Sequence, residues 1–525
     1  MSSTCVRQAE LPHTTRLFSD VLYHPERTVP YYTHPFRDLN AYRSAARSID
    51  LAPERRAALV RAMARFNPGS KALDRLAEAG TVAVVTGQQV GLFGGPAYTI
   101  YKALHAARLA KWLTENGIPA VPVFWLATED HDFAEVNHVW VYDAEHCPAR
   151  LEVAAQTAGQ PVGEVVLNAP PVDGLCRALA GLPHAGEVAD LVAEAYRPGC
   201  TMGQSFSHLM GRLLARYDIP RMDPMSPEFR ALAAPAMRKA VAAAGELTHD
   251  VLERNRALAQ AGYHAQVHVE PYTSLFFLLE DGKRFALRRN GGGDYRLGAR
   301  RLTAEELAGR AESLSPNALL RPVVQDSVLP TVAYIGGPAE IAYLAQSEAI
   351  YRVVLGRMPV VVPRAGFTIL DAASQSRLER YGLSLGSFFH GEERLREQIA
   401  ARLLPEKLTA ALGAAAETVD TALARLRTEL VAFDPTLAKA LDTSNRKIHH
   451  QVDKIRRKAA REILRRDLQA IREARSLYNL VYPERHLQER LYSILPFLAE
   501  HGLGLIDRLE SEIPLDCPDH RLLVA

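Results

Sequence analysis

The chain reads as an α/β protein built on a doubly wound parallel sheet and carrying a long helical C-terminal part. Two observations predict this. A strand–turn–helix–strand unit at residues 81–138 recurs at 329–364, and strand signals almost vanish from Ser374 to Leu477. Apolar strands alternating with amphipathic helices make a parallel sheet covered on both faces. Ligands of such sheets bind beyond the carboxyl ends of the strands, where the winding direction reverses.

The first unit begins with the apolar run TVAVVT, followed by GQQVGLFGGP, a turn with four glycines. A helix is predicted over 97–115 and a second strand over VPVFWLA, which runs into the polar turn Glu129-Asp130-His131-Asp132-Phe133. The second unit, LPTVAYIGGPAEIAYLAQSEAIYRVVLGRMPVVVPR, repeats the order. Gly94-Gly95-Pro96 corresponds to Gly336-Gly337-Pro338, and Pro119 and Pro359 open the two second strands. Proline suits the first helical position, and glycine lets a ligand approach the backbone. Each helix start offers N–H groups and a partial positive charge to an anion. The two starts are expected to face one crevice.

Residues 1–80 read as helical and irregular, packing on the core. Residues 81–262 and 326–372 form the core. Within them, TMGQSFSHLMGRLLARY is a helix, IPRMDP a further strand and 227–261 a long helical stretch. Residues 263–325 read as an inserted small β element. Its hairpin, SLFFLLEDGKRFALRR, turns at Asp281-Gly282, and the loop NGGGDYRLG follows. Residues 373–480 read as two antiparallel helices broken at Phe433-Asp434-Pro435. Ile448, Val452, Ile455, Ala459 and Ile463 form an apolar stripe on the second helix. Residues 481–525 end the chain with a short helical piece.

With 525 residues the chain exceeds a single core, so two or three domains are expected. A net charge of +2 gives no overall pull towards nucleic acid or membrane. No apolar run reaches membrane-spanning length, and the first residues, MSSTCVRQAELPHTTRLF, do not read as a signal peptide. The five cysteines, Cys5, Cys147, Cys176, Cys200 and Cys517, are scattered, which fits a reducing cytoplasm and no thiolate zinc site. Between Arg446 and Arg475 eleven Lys/Arg face four Asp/Glu. This basic stretch reads as a solvated helix face, a subunit interface or a lip for a phosphate-bearing ligand.

Chemistry is expected at the strand ends. On the first turn, Thr86, Gly87, Gln88 and Gln89 offer a hydroxyl, backbone and two amides. Tyr98 and Lys102 share a helix face, from which the lysine can reach an anion held at the helix start. The turn matches neither G-x-x-x-x-G-K-[ST] nor G-x-G-x-x-G, so neither a P-loop kinase nor a standard dinucleotide enzyme is supported. Glu129, Asp130, His131 and Asp132, with Glu135, Asn137 and His138 behind them, gather titratable groups at a strand end. The imidazole can serve as acid or base, and Asp130 or Asp132 can cap the next helix. A helix here would put His131, Glu135 and His138 on one face, the ligand set of a metal-dependent hydrolase. The second half supplies Gln325, Asp326, Tyr334, Glu340, Tyr343 and Arg364, with Arg364 at the ligand edge for a carboxylate or phosphate, or in a salt bridge.

At these residues the chain resembles a known family. TGQQVGLFGGPAYTIYKA, FWLATEDHDFAEVNH, RPVVQDSVLPTVAYIGGPAEIAYLAQ and PRAGFTIL are similar to signature blocks of the cysteine-adding enzymes of bacillithiol biosynthesis, and the likeness runs along nearly the whole chain. The resemblance implies a Rossmann-like core, an inserted connecting-peptide-like region and a coiled-coil arm that makes a homodimer. It implies a cytoplasmic ligase that joins the carboxyl group of cysteine to the amine of glucosaminyl-malate. Amide formation needs the carboxylate activated, and though the sequence does not identify a cofactor, ATP with Mg2+ is the candidate. That family's core looks like that of class I aminoacyl-tRNA synthetases, whose signature lysine loop is not found here. KRFALRRNGGGDYR is the nearest glycine-rich basic segment. The expected roles follow. Thr86, Gly87, Gln88, Gln89, Gly94, Gly95, Tyr98 and Lys102 hold an anionic group, and Glu129, Asp130, His131, Asp132 and His138 carry the catalysis. Tyr334, Gly336, Gly337, Glu340 and Arg364 hold the second ligand. The alternatives from other classes are the hydrolase and a non-catalytic coiled-coil protein that binds nucleic acid.

Overall fold

The computed structural model describes residues 4–154, 158–290 and 293–525. They fall into two compact units: residues 1–144, 148–368 and 489–523, and residues 145–147, 369–488 and 524–525. Among the described residues no helix is long and apolar enough to cross a membrane.

The first unit is organised by a parallel sheet. In chain order its first half comprises β1 (Val82–Gln89), α1 (Tyr98–Glu115), β2 (Ala120–Ala127) and β3 (Arg221–Met222). An antiparallel sheet follows: β4 (Thr273–Glu280), β5 (Lys283–Arg289), β6 (Tyr295–Leu297), β7 (Arg300–Leu302) and β8 (Leu314–Pro316). The chain then returns through β9 (Thr331–Gly336), α2 (Pro338–Val354) and β10 (Val360–Pro363). The parallel order is β10–β9–β1–β2–β3. From the central β1 and β9 the two halves wind outward in opposite directions, so the switch point lies between them.

Alternation along buried strands explains the layering. Val82, Val84, Ile335, Val360 and Val362 pack with Ala106, Leu109 and Leu113 of α1. Val85, Val123 and Trp125, on the other face, pack with Ile341, Ala349 and Ile350 of α2. The second sheet has the order β7–β6–β5–β4–β8. Its first hairpin turns at Asp281 and Gly282, with φ of 51° and 71°, the pair of positive values a two-residue type I′ turn needs. Of the loop NGGGDYRLG, Gly291 and Gly292 lie outside the described residues.

Three local expectations are corrected. The 227–261 stretch is two helices, Pro227–Ala242 and Ala244–Gln260, separated at Ala243. The segment after Asp132 is one helical turn, Phe133–Val136, after which His138–Tyr142 is a strand. The chain ends in a strand, His520–Val524, paired antiparallel with Thr4–Val6, as well as in short helices.

The second unit carries α3 (Glu406–Phe433), α4 (Leu437–Arg466) and α5 (Leu468–Val481). Arg427 pairs with Asp442, and His449 with Asp420, so α3 and α4 run antiparallel. Of the expected stripe, Val452, Ala459 and Ile463 are half-buried, whereas Ile448 and Ile455 are 36% and 57% exposed. Two helices cover only a narrow seam, and the apolar stripe is wider than that seam. In the basic stretch, Arg461 pairs with Glu397, and Arg465 and Arg466 with Glu462, at the surface.

Candidate functional site

A cavity of about 800 Å3 opens at the carboxyl ends of β1, β2 and β9, beside the antiparallel sheet. Gly87, Gln88, Gln89, Tyr98, Gly337, Glu340 and Arg364 line it, with the Glu129–Asp132 turn and Glu135. Its size is that of a small-molecule site.

The acidic turn is tightly organised. The Gln89 amide donates to Asp130 Oδ2 at 2.7 Å and to Glu135 Oε2 at 2.9 Å. Asp130 Oδ1 also accepts the His131 and Asp132 backbone N–H groups, at 2.7 and 3.4 Å. Burial alone would raise the Asp130 pKa. The Gln89 bond, the Arg284 charge and the two backbone bonds outweigh it and hold the carboxyl below its usual range. Glu129 is buried, with Oε2 accepting from Ser315 Oγ at 2.8 Å. The Asp132 carboxylate is exposed towards the cavity and has no hydrogen-bond or ion-pair partner among the described residues.

The antiparallel sheet contributes Arg284, which the sequence reading missed. Its Nε donates to Ser315 Oγ at 2.9 Å, one terminal N–H to the Pro316 carbonyl at 2.7 Å and another to His131 Nδ1 at 3.1 Å. The guanidinium lies 3.9 Å above the Phe277 ring. Arg288 and Arg490 line the same cavity and form no ion pair among the described residues. The alternation of Arg284, Ala286 and Arg288 along β5 is a signal that these three share one face.

Several expected ligand groups instead hold the frame. Lys102 Nζ is fully buried and donates to the Gly87 carbonyl, to Gln88 Oε1 at 3.2 Å and to Glu340 Oε2 at 2.7 Å, which leaves it no free donor for an anion. Glu340 also accepts from Gly337 N–H at 2.8 Å and from the Tyr334 hydroxyl at 2.7 Å. Burial would raise its pKa, but Lys102 and these donors keep it below the usual range. Tyr334 and Gly336 are therefore buried behind Glu340 rather than lining the cavity. Thr86 is buried and donates to the Ile335 carbonyl at 2.9 Å, stitching β1 to β9.

Gly94 and Gly95 also lie away from the cavity. Their φ values of 87° and 67° shape a buried turn, and Gly94 N–H meets the Tyr196 hydroxyl. The Ala97 and Thr99 amides at the start of α1 are taken by the Tyr492 and Pro96 carbonyls, so this helix start is not an open anion site. The Gly337 end of α2 lines the cavity, as does the Tyr98 side chain from the first turn of α1. Arg364 reaches the cavity wall, but its guanidinium is paired with buried Glu489 through bonds of 3.0 and 2.6 Å. Tyr98 stacks near both Arg364 and Arg490, and burial raises its pKa.

His138 sits in the strand after the acidic turn, where its Nδ1 contacts Asn137 Oδ1 at 3.1 Å, and it does not line the cavity. Burial and the nearby Arg150 lower its pKa. The ligand atoms of His131, Glu135 and His138 do not gather within 4.8 Å of one another, because one helical turn gives way to a strand between them. The hydrolase ligand set is not assembled. Asp326 is buried below the sheet, bonded to Tyr351 and Gln325.

Fold and site define a Rossmann-like α/β protein with a ligand cavity at its switch point and a C-terminal helical hairpin. Residues 1–365 match the N-terminal Rossmann-like domain of the bacillithiol biosynthesis BshC family, and residues 367–523 match its C-terminal coiled-coil domain. The chain belongs to this family. It is 63% identical to the putative cysteine ligase BshC of Solibacter usitatus (strain Ellin6076) over all of both chains. It is 38% identical to that of Koribacter versatilis (strain Ellin345), again over both full chains. Against that of Salinibacter ruber (strain DSM 13855 / M31) the identity is 32%, over 86% of this chain and 84% of the relative.

Proposed function

We propose that this chain is a ligase joining the carboxyl group of cysteine to the amine of glucosaminyl-malate through an amide bond. The observation that carries this reading is the meeting, in one cavity, of the Asp132 carboxylate, which has no partner among the described residues, with the guanidiniums of Arg288 and Arg490. At neutral pH the amine substrate arrives as an ammonium ion. A carboxylate can hold it and, once one proton has gone to water and freed the lone pair, take the second as the nitrogen attacks. The malate carboxylates suit guanidinium groups, which can bind them in forked pairs. Amide formation from a free carboxylate is uphill, so the carboxyl group must be activated. ATP with Mg2+ is the proposed source, and the same two arginines suit its phosphates. Nucleotide, when bound, supplies a leaving group on the cysteine carboxyl. Gln88, Gln89 and Tyr98 orient polar groups at the cavity floor. Two copies are proposed to associate through the helical hairpin, whose Ile455 and Leu426 stay exposed in one copy.

The test is a mass-spectrometric assay of purified protein with cysteine, glucosaminyl-malate and Mg-ATP, with controls lacking each component. A product of bacillithiol mass that requires all three is expected. Product without ATP removes the activation step from the proposal. No product from folded protein overturns the reading.

A further inference from the structure

An imidazole at a site of acyl transfer can act either as a base or as a hydrogen-bond donor to the oxygen that gains charge. Which it does depends on the nitrogen that carries the proton. The bonds around His131 settle that choice.

Arg284 is buried to nine-tenths, and a guanidinium has five N–H donors and no acceptor. Its terminal N–H points at His131 Nδ1 at 3.1 Å, so Nδ1 must offer its lone pair. An imidazole accepting at Nδ1 is neutral and carries its proton on Nε2. Arg284 cannot turn away to release the ring. Nε is bound to Ser315 Oγ, which donates in turn to Glu129 Oε2, and the other terminal nitrogen is bound to the Pro316 carbonyl. Phe277 packs against both groups, 3.9 Å from the guanidinium and 5.6 Å from the imidazole ring. Asp130 Oδ1 is 3.6 Å from Arg284 and 3.7 Å from His131 Nδ1, so the two carboxylates beside this arginine, Glu129 and Asp130, anchor its charge. Among the described residues Nε2 of His131 has no partner, and the residue lines the cavity.

We infer that His131 acts as a neutral Nε2–H donor to the oxyanion of the tetrahedral intermediate, and that Arg284, from the antiparallel sheet, is the positioning residue that fixes this tautomer. The inference rests on the ligase reading for its reaction and on the hydrogen bonds for its tautomer. As the amine nitrogen attacks the activated carboxyl carbon, a C–N bond forms and the carbonyl π pair moves onto oxygen, where Nε2–H meets it. The pair then re-forms the C=O bond as the nucleotide-derived leaving group departs with the electrons of its own bond. The substrate's ammonium group gives one proton to water before attack, which frees its lone pair; the second proton leaves the nitrogen for the Asp132 carboxylate as the C–N bond forms, and His131 keeps its proton throughout.

The experiment is nitrogen-15 NMR of the full chain labelled at its histidine rings, with the His131 signals identified by their loss in His131→Gln. At neutral pH they should show a neutral ring protonated at Nε2. In Arg284→Met the ring should become a mixture of tautomers, and Arg284→Lys, with a single point donor, should give an intermediate ratio. A proton on Nδ1 or a charged ring in the unaltered protein overturns the inference, as does an unchanged ring in Arg284→Met. If Arg284→Met fails to fold, Arg284→Lys decides in the same way. In the ligase assay Arg284→Lys should lower kcat by about 10- to 100-fold, the range for an outer-shell partner, with little change in KM. His131→Ala, which has no side-chain donor, should lower kcat by about 100-fold or more, as removal of one oxyanion donor does. Unchanged kcat in His131→Ala overturns the donor role. If no protein turns over while the tautomer is as expected, the ligase reading fails and the positioning by Arg284 stands.

Discussion

Lys102 Nζ lies 2.7 Å from Glu340 Oε2, a buried ion pair that joins α1 of the first half of the sheet to α2 of the second. The pair lies beneath the switch point, with the lysine side chain fully buried and the glutamate 19% exposed. Each partner is also hydrogen-bonded, Lys102 to the Gly87 carbonyl and Glu340 to Gly337 N–H, so both turns of the repeat are tied to one charge pair.

Removing one partner therefore strands a buried charge. Lys102→Met should destabilise the protein by about 3–5 kcal/mol, the range for a broken buried pair. Lys102→Met combined with Glu340→Gln should recover much of that loss, because no lone charge remains. Denaturant midpoints of the two single variants and the double variant test this. A loss in the double variant equal to the sum of the two single losses would show that the pair carries no coupling.

Asp132 should behave in the opposite way. Its carboxylate is exposed and unpartnered among the described residues, so Asp132→Ala should shift the melting temperature by no more than about 1 °C, as a surface change does. If it takes the amine proton, kcat should fall by about 100-fold or more. Loss of folding equal to loss of turnover would make the residue structural.

The repeat of strand, Gly-Gly-Pro and helix made the two halves of the sheet legible, because buried parallel strands and helix starts each leave local signals. The acidic turn was legible as well, since polar residues ending an apolar strand mark the ligand edge. What stayed hidden was set by partners distant in sequence. Tyr492 lies 395 residues beyond Ala97 yet takes its N–H, and Glu340 lies 238 residues beyond Lys102 yet neutralises it. The two Gly-Gly-Pro turns look alike in sequence, but Gly94 and Gly95 adopt positive φ whereas Gly337 has φ −79°. Arg284 was hidden because alternation along β5 tells which residues share a face, and only the docking of that sheet tells which face meets the cavity.

Gly87 offers a packing test of the cavity floor. A Cβ there would lie 2.9 Å from both Cβ and the carbonyl oxygen of Trp125 on β2. Neither can yield without moving a strand, since Gly87 and Trp125 are register partners and Trp125 is buried against Phe229. Gly87→Ala should cost about 1–3 kcal/mol, as overpacking does. Stability equal to that of the parent would show that the strands part freely here.

His105 gives the pH dependence a sign. It is buried in α1, and its Nδ1 accepts the Ala365 N–H at 3.1 Å, which requires the neutral ring. Burial, with the nearby Arg364 charge, pushes its pKa down to about 4. The unfolded chain protonates this ring near pH 6.5. Between those values the unfolded state binds a proton that the folded state refuses, so stability falls as the pH is lowered and is unaffected above about pH 7. The loss by pH 4 is about 3 kcal/mol from this residue. His520, also buried with a lowered pKa, adds a loss of the same sign, so the parent's slope alone cannot isolate His105. His105→Gln keeps an acceptor for Ala365 N–H without titrating. Its stability should therefore fall less steeply than the parent's between pH 6.5 and 4, measured as denaturant midpoints across that window. Parallel slopes for the two proteins would place the acid sensitivity elsewhere.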